Sequence, residues 1–463
     1  MATLLLMLIG VLIRIKIYFQ NRSLFIDEAN LALNIKERSI SQFFENLSYE
    51  QFAPPLFLVE TKWITYLLGE SEYALRLMPF IAGLGSLWLA WHLSHKWLSS
   101  DLSKFFFLGH LALSVLMLQY GTEFKQYSTD VFITLALLCL VSRDEASWRG
   151  KDVVFWSILG GICVWYSMPS TFLLAGIGFF HLFKQRRLSV SIPILIWLFS
   201  FGCYYFSILA SDIKGDYLQS YFESSFFSLE LTKEAMIQNA EILIGFFQAL
   251  LDKTALSIAF GTILFFFGAY NLFVTARFKF IVLGIPVLAT IIASCLHYYV
   301  FITRTTLFLQ PIVLLIIAFG IDYLMRKLPK WGYYLAVILV IIGLYNKKGH
   351  LYLFKEMTFE EIRPCIAYLK NNVGDDFLYV DHEAVPAFRY YWDNHSDLVS
   401  NVHLGTWDSD ISEVSQSNNH KDFWVLFSHT AEDIVLQKLE SISHNALPEV
   451  KCQSPNVSLY HIK

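Results

Sequence analysis

Long apolar runs separated by short polar segments dominate the first 345 residues of the chain. Eleven of these runs approach or exceed the roughly 17 residues that an α-helix needs to cross a bilayer. They lie near residues 3–19, 76–95, 104–120, 128–142, 153–167, 170–183, 190–210, 255–275, 279–298, 306–325 and 331–345. The pattern predicts an α-helical polytopic membrane protein with about eleven transmembrane helices.

The pattern changes after residue 345, where short alternating runs replace the long apolar ones. Strand-like segments read "DDFLYVDH", "DFWVLFSH" and "NVSLYHIK", and helix-like segments read "FEEIRPCIAYLKNN" and "TAEDIVLQKLESI". Such alternation predicts a small α/β domain. We therefore expect a transmembrane domain over 1–345, with large loops at 20–75 and 211–254, and a C-terminal domain over 346–463.

Lys and Arg residues are distributed unevenly between the two sets of loops. They are frequent in the segments 96–103, 143–152, 184–189, 276–279 and 326–330. The positive-inside rule places these segments in the cytoplasm and the two large loops and the C-terminal domain outside. The first helix opposes this orientation, because residues 1–13 carry no Lys or Arg whereas Arg14, Lys16 and Arg22 flank its outer end.

Composition narrows the class of protein further. The chain is 55% hydrophobic and 16% charged, which is too apolar for a soluble nucleic-acid binder, and 17% aromatic, which suits rings at the membrane interfaces. Cys365 and Cys452 lie in the polar tail, and a disulfide between them is compatible with an oxidising compartment. The cysteine spacing does not resemble a zinc site.

Two adjacent carboxylates follow the first apolar run in the segment "RSLFIDEANLALN". Phe25, Ala29, Ala32 and Ile35 recur at helical spacing, so Asp27 and Glu28 begin a predicted helix. One interpretation is structural, with Asp27 as the N-cap and Glu28 as a first-turn acid. The other is that both acids are catalytic.

A second cluster of polar residues lies in "LQYGTEFKQYSTDVF". Glu123, Tyr127 and Asp130 follow one another at i, i+4 and i+7, which places them on one face of a helix. Lys125 is a candidate phosphate contact or a salt-bridge partner of a nearby acid, and Gln126 is a further candidate for substrate binding. We expect this face to line the same cavity as Asp27, with Glu123 as a candidate catalytic residue and Tyr127 and Asp130 as candidates for substrate binding. The alternative interpretation is a solvated hairpin between two spans.

Basic residues near three other span ends complete the set of candidates. Arg76 begins the second span, where it either anchors the helix at the interface or binds substrate. Arg304 and His297 lie in "HYYVFITRTTLFLQP", before a later span. Arg304 is a candidate for bidentate phosphate binding, with an interfacial anchor as the alternative.

The order of these features resembles that of the bacterial GT-C glycosyltransferases, relatives of the dolichyl-phosphate-mannose protein mannosyltransferases and the lipid A aminoarabinose transferase. The resemblance covers "FIDEA", "APPLFL", "GESEYALRLMPFIAG" and "YGTEFKQYSTDVF" within residues 24–130, is looser to about residue 330, and is architectural in the tail. It implies that Asp27 is the essential acid of the first external loop and that Glu123 is the carboxylate of the next. Many relatives carry Lys or His where this chain has Ala53, so that phosphate contact must come from another group or be absent.

The resemblance implies a mannosyltransferase-like membrane enzyme at the extracytoplasmic face of a bacterial inner membrane. A hexosyl or pentosyl group would move, with inversion, from a polyprenyl-phosphate-linked donor to a lipid, glycan or protein acceptor. Asp27 would act as the base, and Lys125, Arg304 or a divalent cation would stabilise the departing phosphate. No cofactor is certain, and whether Glu28 and Glu123 hold a metal is left open.

Two alternatives from other classes share the same general architecture. One is a transporter or flippase of lipid-linked glycans, and the other is an oligosaccharide polymerase or ligase. A transporter would show two repeated halves and ionisable residues near the middle of its spans. Here the charged residues gather at the external ends and no repeat is visible, so the sequence favours the glycosyltransferase.

Overall fold

A computed structural model describes residues 1–142, 148–185, 187–213, 220–327, 329–374, 376–392, 401–407, 409, 411, 422–442 and 448–462. The part up to residue 346 is helical. Its helices are α1 Ala2–Phe19, α2 Ile26–Glu37, α3 Pro55–Leu68, α4 Glu72–Trp97, α5 Asp101–Leu113, α6 Val115–Tyr120, α7 Tyr127–Val141, α8 Gly150–Tyr166, α9 Ser170–Gln185, α10 Leu188–Tyr204, α11 Ala210–Ile213, α12 Lys233–Leu250, α13 Ala255–Thr275, α14 Arg277–Cys295, α15 Leu309–Met325 and α16 Lys330–Asn346. Short 3₁₀ turns lie at Ile40–Phe44, Glu223–Ser225 and Gly349–Leu353, and a π turn, Tyr205–Leu209, extends α10.

Each of the eleven apolar runs is helical in the structure. Within the described residues, five helical segments are long and apolar enough to cross a membrane, namely Ala2–Phe19, Glu72–Trp97, Leu188–Leu209, Ala255–Thr275 and Arg277–Cys295. Three further apolar helices are shorter, namely Tyr127–Val141, Leu309–Met325 and Trp331–Asn346. The prediction of an integral membrane protein is therefore confirmed, while the count of about eleven spans stays a prediction.

The run predicted as a single span at 104–120 is interrupted at Ser114, where the backbone is extended between α5 and α6. The buried Arg14 of α1 donates to the carbonyl oxygens of Leu111 and Ala112, at 2.9 and 3.2 Å, just before the break. An arginine inside the bundle thus satisfies carbonyl groups at the end of a helix, where intrahelical partners are missing.

Close backbone contact joins α13 to α15. A Cβ atom added at Gly268 would lie 1.8 Å from the carbonyl oxygen of Ile316, and one added at Gly320 would lie 2.0 Å from that of Leu264. Only glycine fits at these two positions, and small residues of this kind let membrane helices pack without a hydrophobic driving force.

The segment 20–75 contains two helices, α2 and α3, that lie outside the apolar runs predicted to be spans. Helix α3 begins with Pro55 at its first position, which suits a helix start. Trp63, Tyr66, Leu67 and Leu68 are exposed along its second half. This distribution supports the expectation that α3 lies along the membrane surface.

The C-terminal part is a five-stranded sheet with helices on both faces. Its elements are α17 Arg363–Asn372, β1 Phe377–Val380, α18 Val385–Tyr391, β2 Val402–Leu404, β3 Phe423–Ser428, α19 Glu432–Ile442, β4 Glu449–Ser454 and β5 Val457–Ile462. The strand order is β2-β1-β3-β5-β4, with β1 parallel to β2 and β3 and the remaining pairs antiparallel. Every residue of β3 is buried, because the strand packs against helices on both faces.

One disulfide and a set of hydrogen bonds hold this domain in place. Cys365 of α17 and Cys452 of β4 form a disulfide, with their Cα atoms 5.5 Å apart. The backbone of Ser23, in the segment 20–75, donates to Glu361 at 2.9 Å, and its hydroxyl donates to the carbonyl of Glu360 at 2.8 Å. The domain is therefore docked on the segment that leads into α2.

Candidate functional site

Helix α2 places the two adjacent acids in its first turn. The N-cap position belongs to Phe25, so the structural interpretation of Asp27 as the N-cap is not realised. Consecutive residues on a helix point in different directions. Asp27 and Glu28 accordingly enter two different environments.

Asp27 is partly accessible and pairs with an arginine from a distant loop. Arg304 Nη1 donates to Asp27 Oδ2 at 2.8 Å, and the two side chains are 33% and 31% exposed. Burial raises the pKa of Asp27, but the positive charges of Lys125 and Arg304 outweigh this, so its pKa lies below the ordinary value. Asp27 is therefore an ionised carboxylate that a small molecule can reach.

Glu28 is fully buried and bound on several sides. It accepts from Arg76 Nε at 2.7 Å and Nη2 at 2.5 Å, and from the backbone N–H of Phe124 at 2.6 Å. Arg76 also donates to the carbonyl oxygens of Arg22 and Ser23, at 2.6 and 3.0 Å. This network joins α2, α4 and the loops at 20–25 and 121–126 into one unit.

The charge state of Glu28 follows from those partners. Burial raises its pKa, but Arg76, Arg22 and the Phe124 amide favour the ionised form more strongly, so its pKa is lowered. Arg76 is itself buried, which differs from the interfacial anchor considered as its alternative role.

The loop at 121–126 places Glu123 and Lys125 beside this unit. Glu123 is buried, and its Oε2 accepts from Gln119 at 3.0 Å. Burial and the neighbouring Glu28 carboxylate raise the pKa of Glu123 to about 7. Helix α7 begins only at Tyr127, so the predicted single helix carrying Glu123, Tyr127 and Asp130 is not formed.

Lys125 is a buried cation close to the accessible acid. Its Nζ donates to Gln51 Oε1 at 2.6 Å. Burial and Arg304 lower the pKa of Lys125, whereas Asp27, Glu123 and Glu28 act in the opposite direction. Lys125 thus lies within electrostatic range of Asp27, Arg304, Glu123 and Glu28.

Three further candidates line the start of α7. The Gln126 side chain donates to the carbonyl of Phe52 at 3.3 Å. Tyr127 packs edge-on against Tyr120, with ring centroids 4.9 Å apart, and lies within electrostatic range of Asp27, Glu123 and Arg304. Asp130 is buried against Ser167, in the turn between α8 and α9.

His297 lies in a different environment from Arg304, although both belong to the connection between α14 and α15. It has a left-handed backbone, with φ of 59°, and its exposed ring stacks on Phe226 at 4.5 Å. The structure therefore brings together Asp27, Glu28, Arg76, Glu123, Lys125 and Arg304, and places His297 against the loop that precedes α12.

The structure also adds residues that the sequence did not single out. Gln51 binds Lys125 as described above. His429, which follows β3, has its Nδ1 3.4 Å from Glu360 and lies within electrostatic range of Asp27. The hydrogen bond to Glu360 raises the pKa of His429 against the effect of burial. Nothing local in the sequence marks these residues, because their partners are far away along the chain.

The residues present do not assemble a metal centre within the described part of the chain. No group of three or more His, Cys, Asp or Glu side chains is arranged there to hold a metal ion. The two oxygens of Glu28, considered earlier as a metal ligand with Glu123, are already occupied by Arg76 and the Phe124 amide.

Comparison with known proteins gives a match at the level of structure. No family model and no curated sequence matches the chain. ArnT from Cupriavidus metallidurans in the apo state superimposes with a TM-score of 0.53 at 12% identity, over 99% of this chain and 97% of ArnT. ArnT bound to undecaprenyl phosphate gives a TM-score of 0.52 at 12% identity, over 99% of this chain and 97% of that one.

A third solved structure is similar over a smaller share of its own length. It is the archaeal oligosaccharyltransferase AglB from Archaeoglobus fulgidus, in complex with an inhibitory peptide and a dolichol-phosphate. The TM-score is 0.51 at 11% identity, over 91% of this chain and 69% of AglB. The chain therefore shares the fold of ArnT and AglB.

Proposed function

We propose, on the premise that this chain has the GT-C fold expected from its sequence, that it is a membrane glycosyltransferase using a polyprenyl-phosphate-linked sugar donor. The observation that carries the proposal is the accessible Asp27–Arg304 pair with the buried Lys125 beside it. A carboxylate next to two cations suits the activation of a hydroxyl group and the release of a phosphate. ArnT bound to undecaprenyl phosphate and AglB bound to dolichol-phosphate support a lipid phosphate as the donor's carrier.

The reaction follows from these groups. Asp27 takes the proton of the acceptor hydroxyl as its oxygen attacks the anomeric carbon of the donor sugar. The bond from that carbon to the phosphate oxygen breaks, and its electron pair leaves with the polyprenyl phosphate. Attack from the face opposite to the leaving group inverts the anomeric centre. The acceptor is a lipid, glycan or protein, and the sugar is a hexosyl or pentosyl group.

The cations stabilise the charge that develops on the leaving phosphate. Arg304 uses Nη1 to bind Asp27, and an arginine has further N–H groups in the same plane for a phosphate. Lys125 supplies a second charge from a buried position, where electrostatic interactions are stronger than in water. These two residues take the place of the basic residue that relatives carry at the position of Ala53.

The other charged residues hold this arrangement in place. We assign Glu28 and Arg76 to positioning, because their contacts fix α2 against the loop that carries Lys125. Glu123 contributes a carboxyl group with a pKa of about 7, which lies between Gln119 and Glu28. Gln126, Tyr127 and Asp130 line the adjacent wall, where they would contact the donor sugar.

The positive-inside pattern supports an extracytoplasmic site in a bacterial inner membrane with about eleven spans. Transfer of a whole oligosaccharide is a second candidate function, favoured by the similarity to the oligosaccharyltransferase AglB. The mass added to the acceptor separates a single sugar from an oligosaccharide.

Mass spectrometry of envelope glycolipids and glycoproteins, with and without the gene, identifies the product. In cells that carry only Asp27→Asn, we expect the transfer to fall by about 10²–10⁴-fold, the usual contribution of a general base. Glu37→Gln, at an exposed acid of the same helix, is the matched control and should retain activity. Normal product levels with Asp27→Asn would refute the proposed mechanism.

A further inference from the structure

The parallel strands of the C-terminal sheet end together at one edge. Val380 ends β1, Leu404 ends β2 and Ser428 ends β3, and β1 lies between the other two. Open α/β sheets bind ligands outside the carboxyl ends of their parallel strands, where the strand order reverses. This edge is therefore the part of the domain to search for a ligand site.

An exposed indole is fixed at this edge. Trp407 follows β2 and is 76% exposed, and its ring lies 4.4 Å from the ring of His382. The turn that carries Trp407 is held against β1, because a Cβ atom at Gly405 would lie only 2.6 Å from the Tyr379 hydroxyl. The backbone that carries the indole is thus packed against β1, and the ring itself is exposed.

Polar groups with remaining hydrogen-bonding capacity lie beside the indole. Nε2 of His382 is buried, has no hydrogen-bond partner among the described residues and is 3.9 Å from Glu383 Oε1, while Nδ1 is 3.6 Å from Asp381 Oδ2. Asp381, by contrast, is buried and binds Lys438 at 2.5 Å and Thr430 at 3.2 Å. Asp381 therefore holds the end of β1, while His382 and Glu383 can bind a ligand next to Trp407.

The same edge faces the accessible acid of the transmembrane part. His429 follows β3 and lies within electrostatic range of both Glu383 and Asp27. Helix α18 packs on α2, and the Phe25 and Phe359 rings are 6.2 Å apart across the same junction. His429 therefore connects the edge that carries Glu383 with the surroundings of Asp27.

We propose that this sheet edge, formed by Trp407, His382 and Glu383, binds a pyranose unit of the acceptor. This inference rests on the proposed glycosyltransferase function, and it identifies the acceptor as a carbohydrate. The C–H face of a pyranose packs on an indole ring, while its hydroxyl groups bond to carboxylate and imidazole groups nearby. His429 then lies along the path from this unit to the hydroxyl that Asp27 activates.

The test measures carbohydrate binding separately from transfer. Full-length protein in nanodiscs is titrated with a panel of methyl glycopyranosides, and binding is followed by saturation-transfer NMR. We expect binding to the wild-type protein, and an affinity about tenfold lower for Trp407→Ala, the usual effect of losing one aromatic stacking partner. Glu383→Gln should also weaken binding. Phe354→Ala, at another exposed aromatic residue, is the matched control and should bind as the wild type does.

Asp27→Asn separates this inference from the proposed function. We expect this variant to keep its glycoside binding while it loses transfer. If the wild type binds none of the glycosides, or if folded Trp407→Ala binds them as well as the wild type does, the sheet-edge site is refuted. If Asp27→Asn retains transfer, the proposed mechanism is refuted. The binding result for Trp407→Ala is independent of that outcome.

Discussion

Two ion pairs begin at adjacent residues of α2 but differ in their access to solvent. Asp27 pairs with Arg304, and Glu28 pairs with Arg76. Asp27 and Arg304 are each about one-third exposed, whereas Glu28 is fully buried and Arg76 nearly so. An exposed ion pair contributes about 0–1 kcal/mol to stability, whereas breaking a buried pair costs about 3–5 kcal/mol. The accessible pair can exchange its contacts for a substrate, while the buried pair maintains the structure around it.

The largest effect on stability is expected for Glu28. Glu28→Ala leaves the Arg76 guanidinium buried without its carboxylate and should lower the free energy of unfolding by about 3–5 kcal/mol. Asp27→Ala should lower it by about 1 kcal/mol or less, because the Asp27–Arg304 pair is partly exposed. Thermal unfolding of both purified variants in the same detergent measures the difference. Equal losses of stability would contradict the separation of the two roles.

A smaller and more specific effect is expected for Lys125. Lys125→Ala removes a charged hydrogen-bond donor worth about 1.5–3 kcal/mol, so KM for the lipid-linked donor should rise by about ten- to a hundredfold. KM for the acceptor should change little. Steady-state kinetics with each substrate varied in turn measures both constants.

Lys104→Ala is the control for this experiment, since Lys104 pairs with the exposed Asp101 at the start of α5. A proportional rise in both KM values for Lys125→Ala would show that the change disturbs the whole site and not the donor alone.

The last effect is a dependence of stability on pH that comes from Glu123. Its pKa is raised from 4.5 to about 7 in the folded protein, so folding favours the protonated form. The stabilisation is therefore complete below about pH 4.5 and is lost as the pH rises through about 7. Glu123→Gln keeps a neutral side chain at every pH.

The melting temperature of Glu123→Gln should accordingly fall less than that of the wild type between about pH 5 and about pH 7.5. Glu37→Gln, which alters an exposed acid, should follow the wild-type curve. Parallel curves for the wild type and Glu123→Gln would show that Glu123 does not titrate in this range.

The sequence predicted the helices of the transmembrane part well, because apolar runs of this length are a strong local signal. The fold is shared with ArnT and AglB, although the sequence identity is only 11–12%. The break at Ser114 was missed because the carbonyl groups beside it are bound by Arg14 of another helix, a contact that local pattern does not reveal. Strands β2 and β4 were missed because one has three residues and the other is a polar edge strand.

The candidate site was predicted unevenly for a similar reason. Short-range spacing identified Asp27, Glu28 and the Glu123–Lys125 segment as polar exceptions in an apolar chain. It suggested a helical register for Glu123 that the loop at 121–126 does not adopt. Gln51 binds Lys125, which lies 74 residues further along the chain. His429 belongs to the C-terminal domain, whereas Asp27, with which it interacts, lies near the start of the chain. Local pattern cannot supply such contacts.

The contact between Gly268 and Gly320 has a mechanical consequence for the proposed reaction. With backbone against backbone, α13 and α15 cannot slide past one another or admit a lipid chain between them without opening a gap. The two helices are therefore packed as one unit. Arg304 lies just before α15, at the end of that unit, so we expect the movements that admit a donor to arise in other elements around Asp27.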